Sequence, residues 1–266
     1  VDAIAQVVRC FEDSNVIHVD GNINPLRDIE TINLELIFAD METLDKRLEK
    51  AKKNLKADKK YQAEIDVIEK VKANLEKGIP ARAIELNDDE KEILKDMMLL
   101  TAKPILYICN VSEEQLANAE NDENVKKVKE YVKNENSIAI PLCAKIEEEL
   151  TSLEEADKKE MLEALGLKES GLDRVIQKSY NLLGLMSFLT AGEPEVRAWT
   201  IKIGTKAPEA AGKIHSDIER GFIKAEVINY KELLECGSIA TAEHSITRMA
   251  VATENEAEKQ KGDNRT

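Results

Sequence analysis

The chain has 266 residues, 42% of them apolar and 34% charged, enough for one large domain or two modest ones around a real core. The formal net charge of -14 excludes nucleic-acid binding by the molecule as a whole, so any such contact needs a local exception. Aromatics are scarce, which argues against an all-β sandwich and for helix-rich packing. Cys10, Cys109, Cys143 and Cys236 lie far apart without a C-x-x-C. They read as reduced thiols of a cytoplasmic protein rather than a disulfide frame or a zinc site. No run reaches transmembrane length and no signal peptide is visible, so no membrane partner is expected. The chain starts at Val1 inside an apolar segment, which reads as an excerpt from a longer protein.

"VDAIAQVVRCFE", Val1 to Glu12, is short, apolar and β-branched, as a buried strand of a parallel sheet would be. "HVDGNINPLRDIE", His18 to Glu30, has the Gly, Asn and Pro of a loop. Then Leu34, Ile37, Met41, Leu44, Leu48, Ala51 and Leu55 alternate in steps of three and four, the seam of a coiled coil. The pattern pauses at "KADKK", resumes with Ile68, Val71 and Leu75, and stops at Gly78 and Pro80. Two helices joined by a short polar turn predict a hairpin. Its tip is basic. Lys46, Arg47, Lys50, Lys52, Lys53, Lys56, Lys59 and Lys60 face only Asp45, Glu49 and Asp58 in the same stretch. Such a cluster is a candidate contact for a phosphate backbone, and a solvated helical face is the plain alternative.

"LNDDEKEILK" opens with a helix cap at Asn87 or Asp88 and acids in its first turn. Strand-like "KPILYICN", helical "NDENVKKVKEYVKNE", strand-like "NSIAIPLCA" and helical "KIEEELTSL" then alternate, which predicts a parallel α/β sheet. "GLDRVIQKSYNLLGL" is a further amphipathic helix. Beyond Leu185 short β-type runs alternate with Gly and Pro turns, as in a small α+β domain. Residues 239–266 have no periodicity and read as an atypical, disordered tail.

Catalytic patterns are scarce. His18, His215 and His244 lack ligand spacing, and no G-x-S-x-G, G-x-x-x-x-G-K-[ST] or D-x-x-G occurs. What remains is Asn110-Val111-Ser112-Glu113 at the C-terminal end of a parallel strand, the edge where open α/β sheets bind ligands. A carboxylate there can accept from the N–H groups of a purine edge. "PLCAK", Pro141 to Lys145, would add backbone N–H groups and a lysine stem. Taken alone, Asn followed three residues later by Glu is a weak signal and reads more readily as a helix cap.

"VDAIAQVVRCFED", "HVDGNINPLRDIETIN", "KPILYICNVSEE" and "GEPEVRAWTIKIGTKAPEAAGKIHSDIERGFIKAEVI" resemble signature stretches of the YchF subfamily of Obg-related P-loop NTPases, from Val1 to about Glu235. The resemblance implies an α/β fold: a partial parallel-sheet P-loop NTPase domain carrying an inserted antiparallel coiled coil, then a β-grasp TGS domain. The implied bounds are 1–30 and 81–185 for the nucleotide-binding domain, 31–80 for the arm, 186–238 for the TGS-like domain and 239–266 for the tail. Related GTPases read guanine with N-K-x-D. Here the Lys is absent and Glu113 replaces the Asp, so the resemblance implies ATP over GTP, with a backbone contact to adenine near Val111. Cys143, Ala144 and Lys145 stand where the family's second base loop falls, so the implied base-binding set is Asn110, Val111, Glu113, Cys143, Ala144 and Lys145.

The family's phosphate-binding loop and D-x-P-G motif, which hold phosphates and Mg2+, match nothing in these residues. The chain alone is therefore expected to bind ATP weakly or not at all and to hydrolyse none. The implied partner is the ribosome or one of its subunits, with rRNA against the basic arm and neither membrane nor DNA. Two alternatives stay open: a non-catalytic interaction module of arm and TGS domain, and a truncated product with an unpaired apolar sheet edge.

Overall fold

The structure is a computed structural model and describes residues 1–12, 23–133, 135, 137–191, 195–225 and 227–236. The tail expected over 239–266, His18 and His244 lie outside the described residues. The chain falls into two units, Val1–Leu183 and Gly184–Thr266.

The first unit is built on a parallel sheet in the order β1 (Ile4–Arg9), β2 (Ile105–Asn110), β3 (Ile138–Leu142). Ile4 pairs with Ile105 and Leu106 with Ile138. The central strand β2 is apolar up to Asn110 because both its faces are covered, and Ile105, Tyr107 and Cys109 are fully buried. The edge strand β1 differs from the expected buried strand. Gln6 and Val8 point into the core, whereas Val7 on the other face is 64% exposed. The helix that packs on that side of the sheet contacts β2 and β3, which among the described residues leaves the β1 end of the face open.

Between β1 and β2 the chain makes α1 (Pro25–Leu55), α2 (Tyr61–Leu75) and α3 (Asp88–Lys95). The first of these begins earlier than the sequence suggests, taking six residues read as loop. Pro25 at the first helical position lacks an N–H that would have no partner there, and the Asn24 side chain accepts from Arg27 N at 3.3 Å. Helices α1 and α2 fold back on each other across the turn at residues 56–60. Their seam buries Ile37, Leu44, Ala51, Ile68, Val71 and Leu75, all marked by the three-and-four spacing, whereas Leu34, marked with them, is 49% exposed. Gly78, with φ of +79°, turns the chain out of α2, a conformation costly for residues with a Cβ. The cap of α3 is Asn87, in a reciprocal box with Glu90.

After β2 come α4 (Glu113–Leu116) and α5 (Glu123–Lys133). After β3 come α6 (Ala144–Thr151), α7 (Glu155–Ala164) and α8 (Gly171–Leu182). The core of the sheet's inner face joins Val8, Tyr107 and Cys109 to Ile29 of α1 and Val125 and Val128 of α5. Two polar knots tie the hairpin's root to the sheet. Asp40 of α1 is 2% exposed, and its carboxylate accepts from Leu100 N at 2.8 Å and Thr101 N at 2.7 Å. Glu135 accepts from Tyr107 at 2.9 Å and Tyr131 at 3.1 Å and pairs with Arg82 at 3.0 Å.

The second unit has an antiparallel pair, β4 (Leu185–Ala191) and β5 (Val196–Lys202), in which Phe188 faces Trp199. The Trp199 indole donates to Thr190 Oγ1 at 2.9 Å, and the Arg197 guanidinium stacks 4.4 Å from its ring centroid. Three short helices follow, α9 (Ala207–Gly212), α10 (Ser216–Arg220) and α11 (Tyr230–Cys236). Among the described residues no helix is long and apolar enough to cross a membrane.

Two predictions follow from these knots. Replacing Asp40 with Ala strands two backbone N–H groups beside a buried site, and bonds to a charged acceptor are worth about 1.5–3 kcal/mol each. Urea unfolding of Asp40→Ala is expected to show a loss of about 3 kcal/mol; a change below about 0.5 kcal/mol would deny the knot its role. Burial, with the Glu135 charge behind it, pushes the Tyr131 phenol up to about 12 and Tyr107 higher still. The neutral phenols are therefore the favoured forms. The stability they contribute is whole below the ordinary phenol value of about 10 and is lost as pH rises through the raised values. An ultraviolet titration should show these two of the five tyrosines ionising late; a single step for all five would contradict it.

Candidate functional site

In a parallel sheet the strand C-termini share one edge, so the loops after β2 and β3 meet there. Val111 extends the ladder by one bond, donating to Leu142 O at 2.9 Å, and is 1% exposed. Helix α6 starts at Ala144 behind Cys143, whose thiol provides no cap. The missing cap comes from the other loop, where Asn110 Oδ1 accepts from Ala144 N at 3.0 Å. Glu113 and Lys145 then close the gap with an ion pair between their side chains. That pair lies at the surface, 45% and 68% exposed, where ion pairs are weak and screened, so it yields readily to a competitor. The Glu113 bond and charge hold the Lys145 ammonium above its usual range, so it stays charged at neutral pH.

The helix cap at this edge is not the Asn110–Glu113 pair. It is Ser112 with Gln115: Ser112 Oγ accepts from Gln115 N at 3.3 Å, and Gln115 Oε1 accepts from Ser112 N at 2.9 Å. Shifting the box by two residues frees Asn110 and Glu113 from local duty, and each engages the second loop instead. All six residues expected here, Asn110, Val111, Glu113, Cys143, Ala144 and Lys145, come together. One expectation needs correcting. The Ala144 and Val111 amides are already committed and are not on offer to a ligand. The Glu113 carboxylate and the Lys145 ammonium are held only by their exposed pair with each other, which a ligand can displace.

Sequence reasoning missed the supports of this edge. Gln115 Nε2 donates to Asp122 Oδ2 at 2.9 Å and to Cys10 O at 3.4 Å, tying the end of β1 to the loop. Asp122 also accepts from Val125 N at 3.0 Å at the start of α5. On the other side Glu147 of α6 accepts from Gly171 N at 2.7 Å and Leu172 N at 2.9 Å, seating α8 against the end of β3. A Cβ at Gly171 would lie 2.7 Å from Leu142 Cβ, so glycine is required there. The S-x-x-Q spacing at Ser112 and the Ser170-Gly171 dipeptide were the available signals. Cys109 and Cys143 are buried. The Cys10 thiol, hydrogen-bonded with that of Cys109 and desolvated, is pushed far up and stays protonated. Among the described residues no group of His, Cys, Asp and Glu could hold a metal ion.

The eight basic residues expected at the hairpin tip divide into two sets. Lys46, Arg47, Lys50, Lys52 and Lys53 lie on α1, and Lys56, Lys59 and Lys60 in the turn. Lys46 pairs with Glu42 at 2.6 Å, Arg47 with Glu64 at 2.6 Å, Lys52 with Glu69 at 3.0 Å and Lys60 with Asp58 at 2.9 Å. Lys50, Lys53, Lys56 and Lys59 have no acid partner among the described residues.

Residues 185–261 match the family model YchF-GTPase_C, described as a protein of unknown function (DUF933). The chain is 51% identical to a Ribosome-binding ATPase YchF of Bacillus subtilis (strain 168), over 92% of this chain and 67% of that one. It is 43% identical to a Ribosome-binding ATPase YchF of Escherichia coli O157:H7, over 88% and 64%. The solved structure of the Schizosaccharomyces pombe YchF GTPase superposes with a TM-score of 0.78 at 35% identity, covering 96% of this chain and 69% of that one. The chain thus spans about two thirds of the length of these relatives. Identity at this level over nearly the whole chain, with the same fold, places it in the YchF family.

Proposed function

We propose that this chain supplies the base-reading side of a nucleotide site in a ribosome-associated YchF protein that binds and hydrolyses ATP in preference to GTP. The observation that carries this is the pairing of Asn110 and Glu113 across to Ala144 and Lys145 at the sheet's C-terminal edge. Asn110 holds the two loops in register. Glu113 is the acceptor for the amino group of a base, released when Lys145 swings aside, and the stem of Lys145 covers the base's face. Guanine reading asks for an acid that receives two N–H groups in a fork. Glu113 is one methylene longer than the Asp of that fork and lacks the Lys before it, which supports adenine.

The phosphates and Mg2+ fall to a phosphate-binding loop, which these 266 residues do not contain. When bound, the ion would supply charge neutralisation at the phosphates. The residues seen here do no such work; they bind and orient the base. In this reading the helical hairpin serves as the coiled-coil arm and residues 186–238 as the TGS-like domain. The relatives named ribosome-binding, together with the unpaired Lys50, Lys53, Lys56 and Lys59, support a ribosomal partner reached through rRNA in the cytoplasm.

Titrated with a fluorescent ATP analogue, the chain is expected to bind more weakly than micromolar and to release no phosphate; micromolar affinity with turnover would overturn the division of labour proposed. In co-sedimentation with ribosomes, reversing Lys50, Lys53 and Lys56 to Glu is expected to release the chain and to flatten its salt dependence. Unchanged co-sedimentation would remove the arm from the contact.

A further inference from the structure

The seam between α1 and α2 opens, on its basic side, into a groove of about 530 Å³. That is within the range of roughly 300–1,000 Å³ typical of small-ligand clefts. Lys46, Lys50 and Asn54 stand at steps of four along α1 and line one wall. Arg47 is fixed in the groove by Glu64 at 2.6 Å and by Asp96 O at 2.9 Å. Tyr61, the first residue of α2, closes the end, with the Lys60 ammonium 5.5 Å from its ring centroid.

Lys46 is paired with Glu42 at the surface and Arg47 with Glu64, but Lys50, Asn54 and Tyr61 have no role in packing that accounts for them. Lys50 has no acid partner, and the Asn54 side-chain amide makes no hydrogen bond, among the described residues. Tyr61 is only half-buried and lines open space instead of core. Cations for a phosphate, an amide for a base edge and an aromatic ring for a base face are the parts of a single-stranded nucleic-acid site. A phosphate alone would make no use of Tyr61, and a duplex would show the ring no base.

We infer that this groove holds one unstacked nucleotide of single-stranded RNA, its base against Tyr61 and Asn54 and its phosphate against Lys50, with Lys46 exchanging its exposed partner Glu42 for the phosphate. The inference rests on the hairpin being the ribosome-facing arm, and it adds where on the arm and in what form the RNA is held.

The test is fluorescence anisotropy of a fluorescein-labelled single-stranded RNA with the whole chain. Tyr61→Ala is expected to weaken binding about tenfold, because base–aromatic stacking carries that much, while Tyr61→Phe keeps it. Lys50→Glu should weaken it and lower the salt slope by about one. Far-UV circular dichroism confirms that each variant is folded. Wild-type affinity in Tyr61→Ala, equal affinity for blunt duplex RNA, or Tyr61-dependent displacement by polyglutamate would each overturn the inference, the last in favour of an acidic peptide. The two claims also fail separately. If reversal of Lys50, Lys53 and Lys56 releases ribosomes but Tyr61→Ala leaves RNA binding intact, the arm stands and the groove falls. If RNA binding depends on Tyr61 but ribosomes ignore the reversal, the groove still binds RNA, but the ribosomal contact through the arm falls.

Discussion

Strand β2 is the constraint on which the first unit depends. It is paired on both edges and covered on both faces, so neither its register nor its direction can slip without exposing a full row of apolar side chains. Everything before it must return to its start, and everything after it must leave from its end. The helical hairpin is therefore inserted between two neighbouring strands, and its root needs anchoring. Asp40 and Glu135 do this with buried charge-assisted bonds, which are directional where apolar contacts are not.

The functional consequence lies at the C-terminal edge. A parallel sheet guarantees that two loops meet there, but not that they leave side chains free. The use of Ser112 and Gln115 as the cap has that effect. With the Ser112 and Gln115 amides satisfied locally, Asn110 engages the neighbouring helix and Glu113 an exposed partner it can exchange. Rigid support by Gln115, Asp122 and Glu147 beneath a weak surface pair suits a site that opens for a ligand without moving its frame.

Much of this was legible in the sequence because it depends on local pattern. β-branched apolar runs marked the three parallel strands, and the three-and-four spacing marked the hairpin seam. Pro25 misled as a breaker because the same residue opens a helix when Asn stands before it. The charge of the tip was overstated because Glu64 and Glu69, which neutralise Arg47 and Lys52, lie on the returning helix. Asp40 gave no signal at all. A buried acid in a helix looks like any surface acid until the chain sixty residues away supplies its donors. The residues of this sheet edge were nameable, but their bonding roles were not. Whether Asn110 caps its own helix or another's depends on pairing across strands that no linear spacing contains.

The central claim is that the edge formed by Asn110, Glu113, Ala144 and Lys145 distinguishes adenine from guanine. Amide NMR of the ¹⁵N-labelled chain, titrated in parallel with adenosine and with guanosine, tests it without needing a phosphate site. Adenosine is expected to shift the resonances of Val111, Glu113, Ala144 and Lys145 progressively, guanosine to leave them in place, and Glu113→Ala to abolish the adenosine response. Equal shifts with guanosine, or adenosine shifts confined to other parts of the chain, would contradict it.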